Sequence, residues 1–292
     1  MSERPAARER SGVVHMVHAA LWFAVMSTLV KLASERLPTM QIVFARGFVT
    51  LGLAAASLAH VRKSPFGGRS GLLFLRGLIG SCALVCFYAA VVHLPLAEAT
   101  VVHQTAPLWT ALLAAWLLHE RLRPRIVVAL LGAFAGVLMI ARPSWLFGGG
   151  PAAPLPWEFA FVALLGAMLS AIAYVTVRRL GRTEDPLVVV FWFPLVTVPM
   201  TAPFALPQWT WPTWQEWLLL LGIGASTQIA QVELTRGLAK ESAGRATAVG
   251  YLQVAFATLF GAVVFGALPD AWSWAGMATI VVSLAAAGRR GA

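Results

Sequence analysis

Between Pro95 and Arg121 an apolar run carries Glu98, His103, Gln104 and Pro107: a carboxylate, an imidazole, an amide and a residue with no backbone donor. On a helix His103 and Pro107 share a face with Gln104 beside them, and Pro107 frees the carbonyl of His103. Such irregular backbone is tolerated at membrane depth where it lines a cavity or is buried in protein. His103 and Gln104 therefore read either as cavity lining or as hydrogen bonds between helices. Glu98 reads as a helix-start carboxylate facing unsatisfied N–H groups, or as a proton or substrate site.

Other polar side chains fall inside apolar runs. Arg46 lies about two turns into its run, where an unpaired charge faces the bundle interior or water. Its planar fork suits a substrate carboxylate, and the alternative is a structural pair or carbonyl clamp. Gln228 and Gln231 share a helical face, while Glu233 and Arg236 form an i,i+3 pair in which Glu233 is a salt-bridge partner or a protonatable group. Tyr88, Trp109 and Trp192 lie at depths where aromatics could wall a solute. No zincin, nucleophile-elbow, P-loop or paired-aspartate pattern occurs, and His119 has Arg123 rather than histidine four residues on. The chain is read as neither an enzyme nor a metal or cofactor protein.

The elements that must position these groups are membrane helices. Of 292 residues 59% are hydrophobic and 12% charged, with a mean hydropathy of +0.76, far from a soluble domain. A span needs about 20 apolar residues, and ten segments qualify: 12–34, 39–60, 71–93, 96–119, 126–141, 157–178, 187–206, 214–236, 243–267 and 272–288. They lack the alternation of a membrane barrel. The net charge of +10 is topological: arginine and lysine concentrate at 4–10, 62–76, 121–125, 178–182, 236–245 and 289–290. That places both termini in the cytoplasm and argues against a nucleic-acid partner. Cys82 and Cys86 read as packing residues.

The Gly- and Pro-rich segment 143–156 divides the chain. Across it Glu98–Val102 aligns with Arg245–Val249, Gly77 with Gly224 and Leu112 with Leu259 at one offset, and Ala24, Ser27 and Leu37 with Ala167, Ser170 and Leu180 at another. With five spans per half, the copies enter the membrane from opposite sides. Such inverted repeats belong to secondary transporters, with the solute near the midplane between the halves.

These residues resemble the EamA-type transporters of the drug/metabolite transporter superfamily. The likeness lies in Leu37-Pro-Thr-Met-Gln-Ile-Val-Phe-Ala-Arg46, Phe87-Tyr-Ala-Ala-Val-Val-His-Leu-Pro-Leu-Ala-Glu-Ala-Thr100 and His119-Glu120-Arg121, the last similar to the family's Gly-Glu-Arg. The second half departs, with Pro194 as the counterpart of Arg46 and Gly266-Ala267-Leu268 lacking a glutamate.

The expectation is an all-α membrane protein of ten helices in two inverted five-helix repeats, 12–142 and 157–288, with tails at 1–11 and 289–292, resident in the inner (plasma) membrane. It would carry small organic metabolites such as amino acids by alternating access, with membrane lipids as surroundings, as a monomer or homodimer. A lipid flippase and a non-transporting membrane protein are the alternatives. Arg46, Tyr88, His103, Gln104, Trp109, Trp192, Gln228 and Gln231 are the candidate substrate residues, and Glu98 and Glu233 the candidate proton groups. Gly132 and Gly136, with Ala275, Thr279 and Ser283, predict close helix contact. Pro194, Pro199 and Pro203 predict a bent seventh span.

Overall fold

The computed structural model describes residues 11–148 and 156–288; the two tails and most of the Gly/Pro-rich linker fall outside them. All regular elements among the described residues are helical. The first half comprises α1 (Gly12–Ala33), α2 (Thr39–His60), α3 (Ser70–His93), α4 (Leu96–His103), α5 (Ala106–Leu117), α6 (Pro124–Ala141) and the single turn α7 (Ser144–Phe147). The second comprises α8 (Trp157–Leu180), α9 (Pro186–Ala205), α10 (Trp214–Lys240), α11 (Ala243–Gly250), α12 (Leu252–Phe265) and α13 (Ala271–Gly288). Eight helical stretches are long and apolar enough to cross a membrane, with α11 and α12 counted as one.

The expected single fourth helix is corrected: it is α4 and α5, interrupted at Gln104 and Thr105. Pro107, in the first turn of α5, supplies no N–H, and Thr105 turns its hydroxyl back to the Val102 carbonyl at 2.6 Å. The second half carries its own interruption, at Tyr251 between α11 and α12. The two interruptions touch: the Tyr251 hydroxyl donates to the Gln104 carbonyl at 2.9 Å, across 147 positions. That separation equals the offset of the sequence repeat. Pro107 was expected to free the carbonyl of His103; the carbonyl that finds a cross-repeat donor is that of Gln104.

Helix packing follows an exchange between the halves. The pairing of α1 with α10 is matched by that of α8 with α3, while α2 packs on its counterpart α9 and α6 on α13. Small residues permit the closest approaches. A Cβ at Gly136 would meet the Gly276 carbonyl at 2.5 Å and Ile280 at 2.7 Å, so the expected glycine contact is made within the chain between α6 and α13. The two cysteines are free. α9 runs as one helix through Pro194, Pro199 and Pro203, where the hydroxyls of Thr197 and Thr201 bond to carbonyls one turn back.

The exchange is not complete, and its clearest break joins the two interrupted helices. α5 packs on α11, yet among the described residues their counterparts α12 and α4 make no comparable contact. α11 is buried along most of its length, whereas Ala255 alone is buried in α12. At the end of the bundle where α5 and α11 meet the two halves close on each other, and at the opposite end α4 and α12 do not, a splay of this one pair.

Candidate functional site

The closed end is held by charge. Glu120, just beyond α5, receives Arg178 Nε of α8 at 2.8 Å on one oxygen and the Ala243 N–H at the start of α11 at 2.8 Å on the other. Arg178 Nη1 donates to the carbonyls of Leu238 and Ala239 at the end of α10, at 2.9 and 2.7 Å. One carboxylate thus ties the first half to α8 and α11 of the second, and Arg178 extends the network to α10. Its counterpart at the splayed end is Ala267, which has no side chain able to do this. His119 beside Glu120 sits at φ 53°, and Gly266, its counterpart, at φ 66°. Both are left-handed, a conformation open to glycine at no steric cost. The family's Gly-Glu-Arg pattern reflects that backbone requirement, which His119 meets under strain.

Within the bundle, several buried polar atoms lack partners among the described residues. Arg76 is 3% exposed in α3. Its Nε and Nη1 have no hydrogen-bond partner among the described residues, and Nη2 reaches Gln231 Oε1 at a long 3.4 Å. The guanidinium lies 4.5 Å over the Phe193 ring. Sequence reasoning grouped Arg76 with the loop charges, and the structure corrects this: it is inside α3. The available signal was its position at the start of an apolar run, with Gly80 one turn on beside the guanidinium.

Other candidates are distributed as follows. Arg46 is buried in α2, with Nη1 3.7 Å from Met26 Sδ and no carboxylate within 4 Å among the described residues. Gln228 is buried with both amide atoms unpartnered among the described residues, as are His103 Nδ1 and Trp109 Nε1. The His103 ring centroid lies 4.4 Å from that of Phe87, which meets Tyr88 edge-on. Gln104 contributes its carbonyl to the cross-repeat bond. Trp192 is engaged elsewhere: its Nε1 donates to the Pro65 carbonyl at 2.9 Å and its ring meets Phe74 edge-on, which ties α9 to the loop before α3.

The two acidic candidates have structural partners. Glu98 Oε1 accepts from the Ser144 N–H at 2.9 Å and hydroxyl at 2.5 Å, anchoring α7, and leaves Oε2 without a partner among the described residues. Glu233 meets Arg236 at 3.0 Å as the spacing suggested, and also His15 of α1 at 2.6 Å, a partner that sequence separation concealed.

Outside the spans, ion pairs tie the loops. Asp185 lies in the α8–α9 turn. Burial acts to raise its carboxyl pKa, but the Lys63 ammonium and the Leu187 N–H together bring it below the ordinary value. At the other end Asp270 is lowered by the N–H and hydroxyl of Ser273 and by Arg142, 2.6 Å away. Arg36 pairs with Glu216, whose hydrogen bond raises further the pKa of an already basic group.

The EamA-like transporter family matches this sequence twice, over residues 10–142 and 158–288. The chain belongs to that family. The pseudopaline exporter CntI of Pseudomonas aeruginosa is 34% identical over 287 residues, spanning 96% of each chain. Mouse solute carrier family 35 member G1 is 28% identical over 93% of this chain and 76% of its own length. A solved crystal structure superposes with a TM-score of 0.84 at 23% identity, covering 95% of this chain and 96% of the other, a likeness of fold. Together these make the protein a multi-pass membrane transporter of the drug/metabolite superfamily, a role distinct from enzymatic catalysis.

Proposed function

We propose that the protein carries small organic metabolites across the inner (plasma) membrane by alternating access between two inverted five-helix repeats, 12–142 and 157–288, working as an exporter. The observation that carries this reading is the set of buried polar atoms on Arg76, His103, Trp109 and Gln228 that lack partners among the described residues. A helix bundle that only packed would satisfy such atoms internally, because each one left alone costs about 1–3 kcal/mol. A polar solute passing between the repeats would meet them.

The interruptions at Gln104 and Tyr251 suit this reading, since broken helices meeting near the midplane are where carriers of inverted design hold solute. Ten spans follow if α4 and α5 cross as one stacked unit and α13 crosses as well; its 18 residues reach about 27 Å. The basic loops then put both termini, and the Glu120–Arg178 closure, on the cytoplasmic side. The splayed end faces outward. An exporting direction is taken from the role of the Pseudomonas relative.

The test loads proteoliposomes with a metabolite extract and identifies by mass spectrometry which solutes leave faster than from protein-free vesicles. Selective loss supports the carrier. Loss of lipid asymmetry without solute loss favours a lipid flippase, and neither, from folded protein, rejects transport.

A further inference from the structure

We propose that the transported solute is an organic anion and that Arg76 holds its acidic group, with Gln231 beside it and the Phe193 ring behind. This rests on the carrier reading above and adds the chemistry of the solute.

The comparison that carries it lies within this chain. Arg178, also largely buried, spends its guanidinium on the Glu120 carboxylate and on two helix-end carbonyls at 2.7–2.9 Å. That is how a structural arginine is accommodated. Arg76 is more deeply buried, has no carboxylate within 4 Å among the described residues, and leaves two of its three nitrogens unbonded. An uncompensated buried cation is costly, and it persists where a function requires it. The cradle around it is built. A Cβ at Gly80, one turn along α3, would lie 2.6 Å from Nη1 and 3.1 Å from the Phe193 ring, so the guanidinium in its present place on that ring uses the space the glycine leaves. Phe193 gives an apolar face that a planar cation stacks upon. Gln231 touches it with a neutral carbonyl oxygen, which accepts weakly and can turn to present its amide N–H₂ to an arriving anion.

The wider electrostatics agree. Arg46 is a second buried arginine with no carboxylate partner among the described residues, whereas the buried Glu233 is paired with His15 and Arg236 and the other buried carboxylate, Glu98, lies at the far end of the bundle in the first turn of α4. Around Arg76 and Arg46 the interior is therefore electropositive, and a low-dielectric cleft of one sign concentrates solutes of the other. A guanidinium with unspent N–H groups binds carboxylate through charge-assisted hydrogen bonds stronger than neutral ones.

The test separates this claim from the carrier reading by measuring binding without transport. A metabolite extract is divided by anion exchange into anionic and non-anionic fractions, and each is added to purified protein in detergent while the melting temperature is followed. The anionic fraction is expected to raise it and the other to leave it unchanged. In Arg76→Gln the shift disappears, and in Arg76→Lys part of it remains. The anionic solutes identified in this way should require at least roughly tenfold higher concentration to half-saturate efflux through Arg76→Lys than through wild type, the loss of one bidentate charge-assisted contact. Protection by the non-anionic fraction alone, by neither fraction, or equally in Arg76→Gln would overturn the assignment. If Arg76→Gln does not fold, the wild-type preference between fractions and the Arg76→Lys shift still decide. Anion-specific protection without efflux would leave the site standing and reject the carrier.

Discussion

Removing the Glu120 carboxylate should open the end of the bundle where α5 meets α11. Glu120→Gln keeps the size of the side chain but discharges the partner of Arg178 and weakens the acceptor for the Ala243 N–H, both now 2.8 Å away. Hydrogen bonds to charged groups contribute about 1.5–3 kcal/mol each. Arg178 keeps its two carbonyls, and the substituted amide can still accept one bond, so we take the net loss as ~2 kcal/mol. Both partners separate from the first repeat when this end opens, so the whole difference falls on the closed state. With a factor of ten per 1.4 kcal/mol, the open population rises about 30-fold. The reporter is Ala114→Cys in a background with Cys82 and Cys86 replaced by alanine: residue 114 is 1% exposed and packs with Val175 and Ala243 at that junction. Modification by a membrane-impermeant maleimide should accelerate by roughly that factor while the open state is a minor one. Asp270→Asn, at the opposite end, should not accelerate it. Unchanged labelling in a folded Glu120→Gln protein would refute the idea that this network holds the closed end.

Three further outcomes follow from particular residues. Gly266 sits at φ 66° as the cap of α12, so Gly266→Ala should lower stability by ~1 kcal/mol, whereas His119→Gly, at the matching left-handed position, should lower it by no more than a few tenths and relieve strain; thermal denaturation of both measures the contrast. Gly136→Ala places a methyl against the Gly276 carbonyl and Ile280, forcing α6 and α13 apart at a cost of about 1–3 kcal/mol, readable as a lowered melting temperature. Asp270 has a depressed carboxyl pKa in the fold, so its contribution is complete above the unfolded value of about 3.9 and is lost as pH falls through the folded one. The melting-temperature gap between wild type and Asp270→Asn should therefore shrink as pH drops from about 6 toward about 3, and a gap that widens would contradict the assignment.

Much of the architecture was legible because membrane helices are written in long apolar runs and their charge bias in the loops. The repeat was legible through a few like residues at a constant offset, such as Gly77 with Gly224 and Leu112 with Leu259, whereas the matched positions Gln104 and Tyr251 share no chemistry and were found only in the structure. The break at Gln104–Thr105 was concealed by the unbroken hydropathy of the run, although Pro107 signalled it. The site was harder to read. Arg46 stood out because it interrupts an apolar run, whereas Arg76 sits near a run's edge among loop arginines, and its burial inside α3 against Phe193 is what sets it apart from them. Trp192 had a suitable depth and type, but side-chain direction sends it to the Pro65 carbonyl. The His15–Glu233 contact joins residues far apart in sequence, and no local pattern predicts it.

The central claim, that the two repeats must separate for solute to pass, is tested most directly by locking them. A Cβ at Gly244 of α11 would lie 3.2 Å from the Ala111 Cβ of α5, within reach of a disulfide after a small adjustment. Ala111→Cys with Gly244→Cys, in the background lacking Cys82 and Cys86, is reconstituted into proteoliposomes loaded with the metabolites that wild type releases. Oxidation should stop their efflux and reduction should restore it, with each single cysteine variant unaffected by either treatment. Efflux that continues at the same rate through fully cross-linked protein would contradict alternating access between these halves.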